Sequence, residues 1–123
     1  MNSEPKSVSL AIASGAAVSE AVRLMDFVKS GSPLENRNFT PKGIILPVTT
    51  GTVFGFEVSE DGSTWYTLKD ATNTAITVTK TAASASAHPL SAQSFAGWGW
   101  LRVTANSGNE GSARTVILKG YEV

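Results

Sequence analysis

Hydrophobic side chains recur at every second position along much of this chain, in short bursts separated by glycine, asparagine, aspartate and proline. Val8, Leu10 and Ile12 alternate with Ser7, Ser9 and Ala11 before the run stops at Ser14-Gly15. A period of two marks a strand with one buried face. Gly43 to Val48 is a short apolar strand closed by Pro47, and Phe54, Phe56 and Val58 then alternate with Gly55 and Glu57. The stretch from Phe56 to Leu68 reads as a hairpin reversing at Asp61-Gly62, a dipeptide that tolerates the positive backbone dihedrals of a tight turn. On its returning arm Trp65 and Tyr66 are adjacent, so one is expected to face in and the other out. Ile76 and Val78 alternate with Thr77 and Thr79. Leu101 and Val103 take one face of a later strand, with Trp98, Trp100 and Arg102 on the other, and Val116 and Leu118 oppose Thr115, Ile117 and Lys119. Seven or eight strands spaced by roughly ten residues predict a two-sheet antiparallel sandwich.

Three stretches depart from the alternation. Residues 1–7 are polar, contain Pro5 and read as a flexible arm preceding a single domain over residues 8–123. Residues 16–28 fit a strand over Val18 to Leu24, or a short helix with Val18, Val22 and Met25 on one stripe. Residues 29–42 (KSGSPLENRNFTPK) form a long inserted loop, a length that in compact domains tends to be functional or disordered. Its large apolar side chains, Leu34 and Phe39, either tuck against the domain edge or contact a partner. Residues 81–88 are almost wholly Ala and Ser, a low-complexity connection to Pro89-Leu90.

Composition narrows the reading. The 123 residues suit one domain with a core of its own. There is no cysteine, which removes disulfides, thiolate catalysis and cysteine-ligated zinc. Ten basic and ten acidic residues cancel, so no overall field favours nucleic acid. The N-terminal stretch lacks a basic region followed by an unbroken apolar run, and neither a secretory signal nor a membrane span is expected.

Candidate chemistry is sparse. His88, the single histidine, is the one a serine, histidine and acid triad would need, but it sits in the Ala/Ser connection beside Pro89, and a lone loop histidine is expected to be solvent-exposed rather than catalytic. Glu60, Asp61, Asp70 and Asn73 supply oxygen ligands of the calcium type, but turn formation explains the same residues. Paired carboxylates for glycoside hydrolysis would need two acids to converge, and Glu57, Glu60, Asp61 and Asp70 fall on turns or outward positions. The glycines of residues 107–111 join two strands rather than a strand and a helix, so they do not make a phosphate cradle. No catalytic, cofactor or metal residue is assigned, and an enzyme is not expected. Trp98, Trp100 and Arg102 combine the residue types enriched at interface hot spots and on sugar platforms. Equally, one tryptophan can cap the core while Arg102 crosses the other ring.

Two segments carry a resemblance. SEDGSTWYTL and WGWLRVTANSGNEGSARTVILKGYEV, with Arg102, Arg114 and Gly120, resemble the hairpin and paired last strands of discoidin-type galactose-binding-like jelly rolls, over roughly the second half of the chain. The whole-chain pattern resembles small structural proteins of tailed bacteriophages. It comprises the early ASG, Ile44-Ile45-Leu46-Pro47, the FEVSEDGSTWYTL hairpin, the Pro-Leu and the WLRV and SARTVIL strands. The loop at residues 29–42 departs from that pattern. Among such phage proteins are jelly-roll cement or decoration subunits of the capsid and tail-associated proteins.

The resemblance implies a jelly-roll β-sandwich in the virion, assembled in the host cytoplasm. It would be a homo-oligomer bound to the major capsid protein or another virion protein, without nucleic acid or membrane. The interface is expected to draw on Pro5, Leu34, Arg37 and Phe39 from the arm and loop, and on Tyr66, Trp98, Trp100 and Arg102 from the sheets. The alternatives are a tail-associated protein, or a carbohydrate-binding module that stacks sugars on Trp98, Trp100 or Tyr66.

Overall fold

The computed structural model describes residues 4–24, 39–95 and 97–122. Among them are nine strands and one turn of helix. In order they are β1 (Glu4–Ile12), β2 (Val22–Arg23), β3 (Phe39–Leu46), β4 (Val53–Ser59), β5 (Tyr66–Thr67), β6 (Thr77–Thr79), β7 (Ser86–Pro89), α1 (Ala92–Phe95), β8 (Trp100–Ala105) and β9 (Arg114–Glu122). Two antiparallel sheets form a β-sandwich. One has the order β1-β9-β3-β7, and the other β2-β8-β4-β5, with β6 also paired to β4.

The alternation read along the chain fills the space between the sheets. Leu10 and Ile12 of β1, Ile44 and Leu46 of β3, and Val116 and Leu118 of β9 line one side. Phe54, Phe56 and Val58 of β4 and Leu101 and Val103 of β8 line the other, all of them buried. Each such side chain contributes about 1.5–3 kcal/mol by leaving water. The helical turn α1 inserts Phe95 edge-on against Phe56, with ring centroids 5.1 Å apart and planes at 81°. Chain reversal after β4 uses Gly62, whose φ is +79°. Asp61 Oδ1 accepts from the Ser63 and Thr64 amides at 2.8 and 2.9 Å.

Several expectations are corrected. Residues 4–7 are not a free arm: β1 pairs with β9 from Glu4↔Glu122 onward, and Lys6 forms an ion pair with Glu122. Their side chains give no hydrophobic signal because the ladder is backbone-made, and Pro5 lies on an edge strand, where a missing N–H is tolerated. The inserted loop is shorter than expected at its end, because Phe39–Lys42 belong to β3; residues 29–38 lie outside the described residues. Residues 86–89 are a strand, β7, paired to β3. Its Ala-Ser composition hides it, since an edge strand needs little apolar side chain. Between residues 16 and 24 the chain is extended, with bridges Ile12↔Ser19 and Val18↔Thr104 and the short β2. The strand reading therefore holds to Leu24, and residues 25–28 lie outside the described residues.

Candidate interaction surfaces

The outer face of the five-stranded sheet carries the aromatic and arginine set. Alternation along β8 turns Trp100 and Arg102 outward while Leu101 and Val103 enter the core. Arg102 reaches across to β4, where its Nη2 lies 2.6 Å from Glu57 Oε1 and its Nε donates to the same oxygen at 2.7 Å. Its guanidinium carbon stands 4.3 Å from the centre of the Trp65 ring. Beside this stack Arg23 of β2 lies 5.4 Å from the Trp100 ring centre. A methyl group built on Gly62 would sit 3.1 Å from Trp100 Cε2, so the turn after β4 is packed against that indole. Trp100 is thus held between an arginine and a turn, and Trp65 lies under a second arginine. Neither Trp65 nor Tyr66 enters the core: Trp65 is half-buried on the outer face and Tyr66 is 61% exposed. The pairing Val58↔Tyr66 assigns Tyr66 to the inner face by register, yet on the two-residue β5 its side chain stays exposed.

The remaining expected interface residues scatter. Trp98 precedes β8, outside its alternation. It packs partly buried against the core, and its indole Nε1 donates to the Ser94 carbonyl at 3.3 Å. With Leu68, Ile76, Asp70, Gln93 and Ser94 it lines a depression of about 430 Å³. Phe39 is only 6% exposed and belongs to the core, so burial removes it from any accessible contact. Leu34 and Arg37 lie outside the described residues. Pro5 is exposed at the start of β1 and borders a depression of about 300 Å³ with Lys6, Lys42, Lys119 and Tyr121. A bulge between Pro41 and Gly43 shifts the register of β3 against β9, and the Lys42 ammonium lies 4.9 Å from the Tyr121 ring centre. Bulges re-aim side chains in this way.

A third feature, the polar pin at the far end of the sandwich, escaped sequence reasoning. Glu110, in the β8–β9 loop, is fully buried. Its Oε1 accepts from the Thr50 amide at 2.8 Å and Arg114 Nε at 3.0 Å, and its Oε2 from the Gly51 amide at 3.0 Å. Its own carbonyl accepts from Gly15 N–H at 2.7 Å, and its amide donates to the Ala16 carbonyl at 2.9 Å. One residue therefore ties together the β1–β2, β3–β4 and β8–β9 loops. Burial alone would raise its pKa, but the amides of Thr50 and Gly51 and the Arg114 guanidinium outweigh it and hold the carboxyl below its ordinary value. Nearby, buried Lys80 donates to Thr49 Oγ1 at 2.9 Å and to the Thr81 carbonyl at 2.6 Å. Desolvation lowers its pKa, opposed by the attraction of Glu110. The one available signal was an acid among Gly, Ser and Asn with Arg114 four residues on.

Two of the acids considered for calcium, Asp61 and Asp70, are engaged in turn formation. Asp61 is held below its ordinary pKa by the Thr64 and Ser63 amides and the Ser59 hydroxyl. Asp70 is held down by the Thr72 hydroxyl and the amides of Thr74 and Thr72. Among the described residues no three of His, Asp and Glu gather as metal ligands would. His88 lies half-buried on β7 rather than in a loop, with Nε2 2.7 Å from Ser86 Oγ. No described carboxylate pairs with the ring to complete a triad. No helix among the described residues is long and apolar enough to cross a membrane. No protein-family model, curated protein or solved structure gives a significant match to this chain.

Proposed function

We propose that this protein is a structural subunit of a bacteriophage virion, a capsid cement or decoration protein that acts through protein–protein contacts and not by catalysis. The observation that carries the reading is the pairing order of the strands. β1 pairs with β9, β2 with β8, β3 with β7, and β4 with β5 and β6. One long two-stranded ribbon, rolled so that β9 also meets β3 and β8 also meets β4, would give the same order. Such a roll is the logic of a jelly roll, an architecture used by viral capsid proteins and by lectins.

Fold alone does not choose between those uses. The side chains favour the first. Sugar stacking needs an open aromatic face, yet arginines cover Trp65 and Trp100 and Trp98 is packed against the core, which leaves Tyr66 alone of the expected platform rings exposed. The ionisable groups at the turns and loop end are engaged by backbone amides, which suits a rigid block that presents flat faces. A tail location remains within the same structural class. In the cement reading many copies bind the assembled shell and not its free subunits, and so stabilise the shell by mass action. Particles prepared after deletion of the gene should disassemble at lower temperature and recover when purified protein is added back. Particles that neither take up the protein nor change in stability would count against the reading, as would a strong hit on a glycan array.

A further inference from the structure

The four sheet edges are not equally protected. On the five-stranded sheet the outer strands are β2, with two residues, and β5 and β6, with two and three. On the four-stranded sheet β7 has four residues and ends in a proline, whereas β1 has nine. Long edges invite pairing with another chain unless charge, proline or a covering segment blocks them.

The direction of the open groups on β1 follows from its far end. The Ala11 carbonyl accepts from Glu20 N–H at 2.9 Å, and Ala11 N–H donates to Glu20 Oε1 at 2.9 Å. Ala11 therefore turns its backbone groups away from β9. In an antiparallel ladder this alternates, so Pro5, Ser7 and Ser9 also direct their backbone groups to the open side, while Lys6, Val8 and Leu10 bond to β9. Among the described residues nothing covers Ser7 and Ser9 on that side. Glu20 closes the edge at Ala11, and Pro5, lacking an N–H, limits it at the other end. The open stretch is thus short and centred on Ser7.

We propose that this edge pairs with β1 of a second copy, antiparallel about a two-fold axis at Ser7, joining the two four-stranded sheets into one. An isologous contact closes on itself and leaves no edge to propagate. With the axis at Ser7, the Ser7 residues exchange a reciprocal pair of backbone hydrogen bonds. Each Ser9 N–H then donates to the Pro5 carbonyl of the other copy, which uses the acceptor that Pro5 retains. Shifting the register to set Ser7 against Ser9 would bring Pro5 against Ala11, which Glu20 already occupies. The chosen register places Lys6 opposite Val8 of the second copy, so like charges do not face each other, and it covers the half-exposed Val8. On the outer surface the two Ser7 side chains meet and each Ser9 faces Pro5, while the Lys119 ammonium of each copy stays bonded to its own Ser7 hydroxyl at 2.6 Å beside the axis. This goes beyond the virion reading and is independent of it: a monomer that binds particles would overturn the dimer alone, and a dimer that ignores particles would overturn the virion role alone.

The test combines sedimentation with amide hydrogen exchange on the full chain. The unmodified protein is expected to sediment as a dimer whose Ser7 and Ser9 amides become protected as concentration rises. Ser7→Pro removes the central bonds but no bond to β9. It is expected to weaken the dimer about 100-fold while leaving thermal unfolding of the dilute protein unchanged. A monomer at all concentrations, protection of Ser7 and Ser9 that ignores concentration, or a Ser7→Pro variant that dimerises normally would each overturn the proposal. The exchange measurement needs no variant, so it decides the matter even if Ser7→Pro does not fold.

Discussion

At the scale of single residues the clearest dependency is Glu110, a lone acid in a Gly-Ser-Asn loop whose carboxylate holds the Thr50 and Gly51 amides and Arg114. Glu110→Ala leaves these donors buried without an acceptor, a loss of about 3 kcal/mol, or roughly 10 °C in melting temperature for a domain of this size. Calorimetry checks it directly. The same residue sets an acid limb on stability. Its folded-state pKa lies below the ordinary 4.5, so the stabilisation is complete above that value and is lost as pH falls through the depressed one. Asp61 and Asp70 act in the same direction. Urea titrations from pH 7 to about 3 should show stability falling most steeply below the ordinary carboxylate range. Glu110→Gln should flatten that fall while lowering stability at neutral pH.

Among the elements, β9 matters most because it pairs with both β1 and β3. Gly120 is where β3 presses closest: a Cβ there would lie 2.1 Å from the Thr40 carbonyl oxygen, a backbone atom that cannot yield without moving the strand. Gly120→Ala should therefore disrupt the four-stranded sheet, seen as loss of the near-UV circular dichroism signal. The inner halves of β4, β8 and β9 were legible because alternation is the signature of a strand with one wet face. The start of β1 and all of β7 were not, since backbone ladders hold them and their Ser, Ala and Pro side chains carry no period. Trp65 and Trp98 show a further limit. Alternation assigns faces only within a strand, and both tryptophans lie just outside one. Trp65 packs under Arg102, an arginine expected to cross a tryptophan, though the choice of Trp65 depended on strand order that no local pattern encodes. The role of Glu110 was illegible for the same reason, as the Thr50 and Gly51 amides it holds are about sixty residues away in sequence.

For the whole molecule, a two-sheet β-sandwich carries loops tied together by Glu110 at one end, arginine-capped tryptophans on one face and a long β1 edge on the other sheet. The proposed virion role predicts that the protein is a stoichiometric component of a particle, present in a fixed number of copies relative to the major shell protein. The most direct measurement is quantitative mass spectrometry of phage particles purified from the strain that carries the gene. The account predicts tens to hundreds of copies per particle, of order the subunit count of a shell that many copies must cover to stabilise it by mass action. Purified particles that lack the protein, or carry it only in trace amounts far below the shell subunit count, would contradict it.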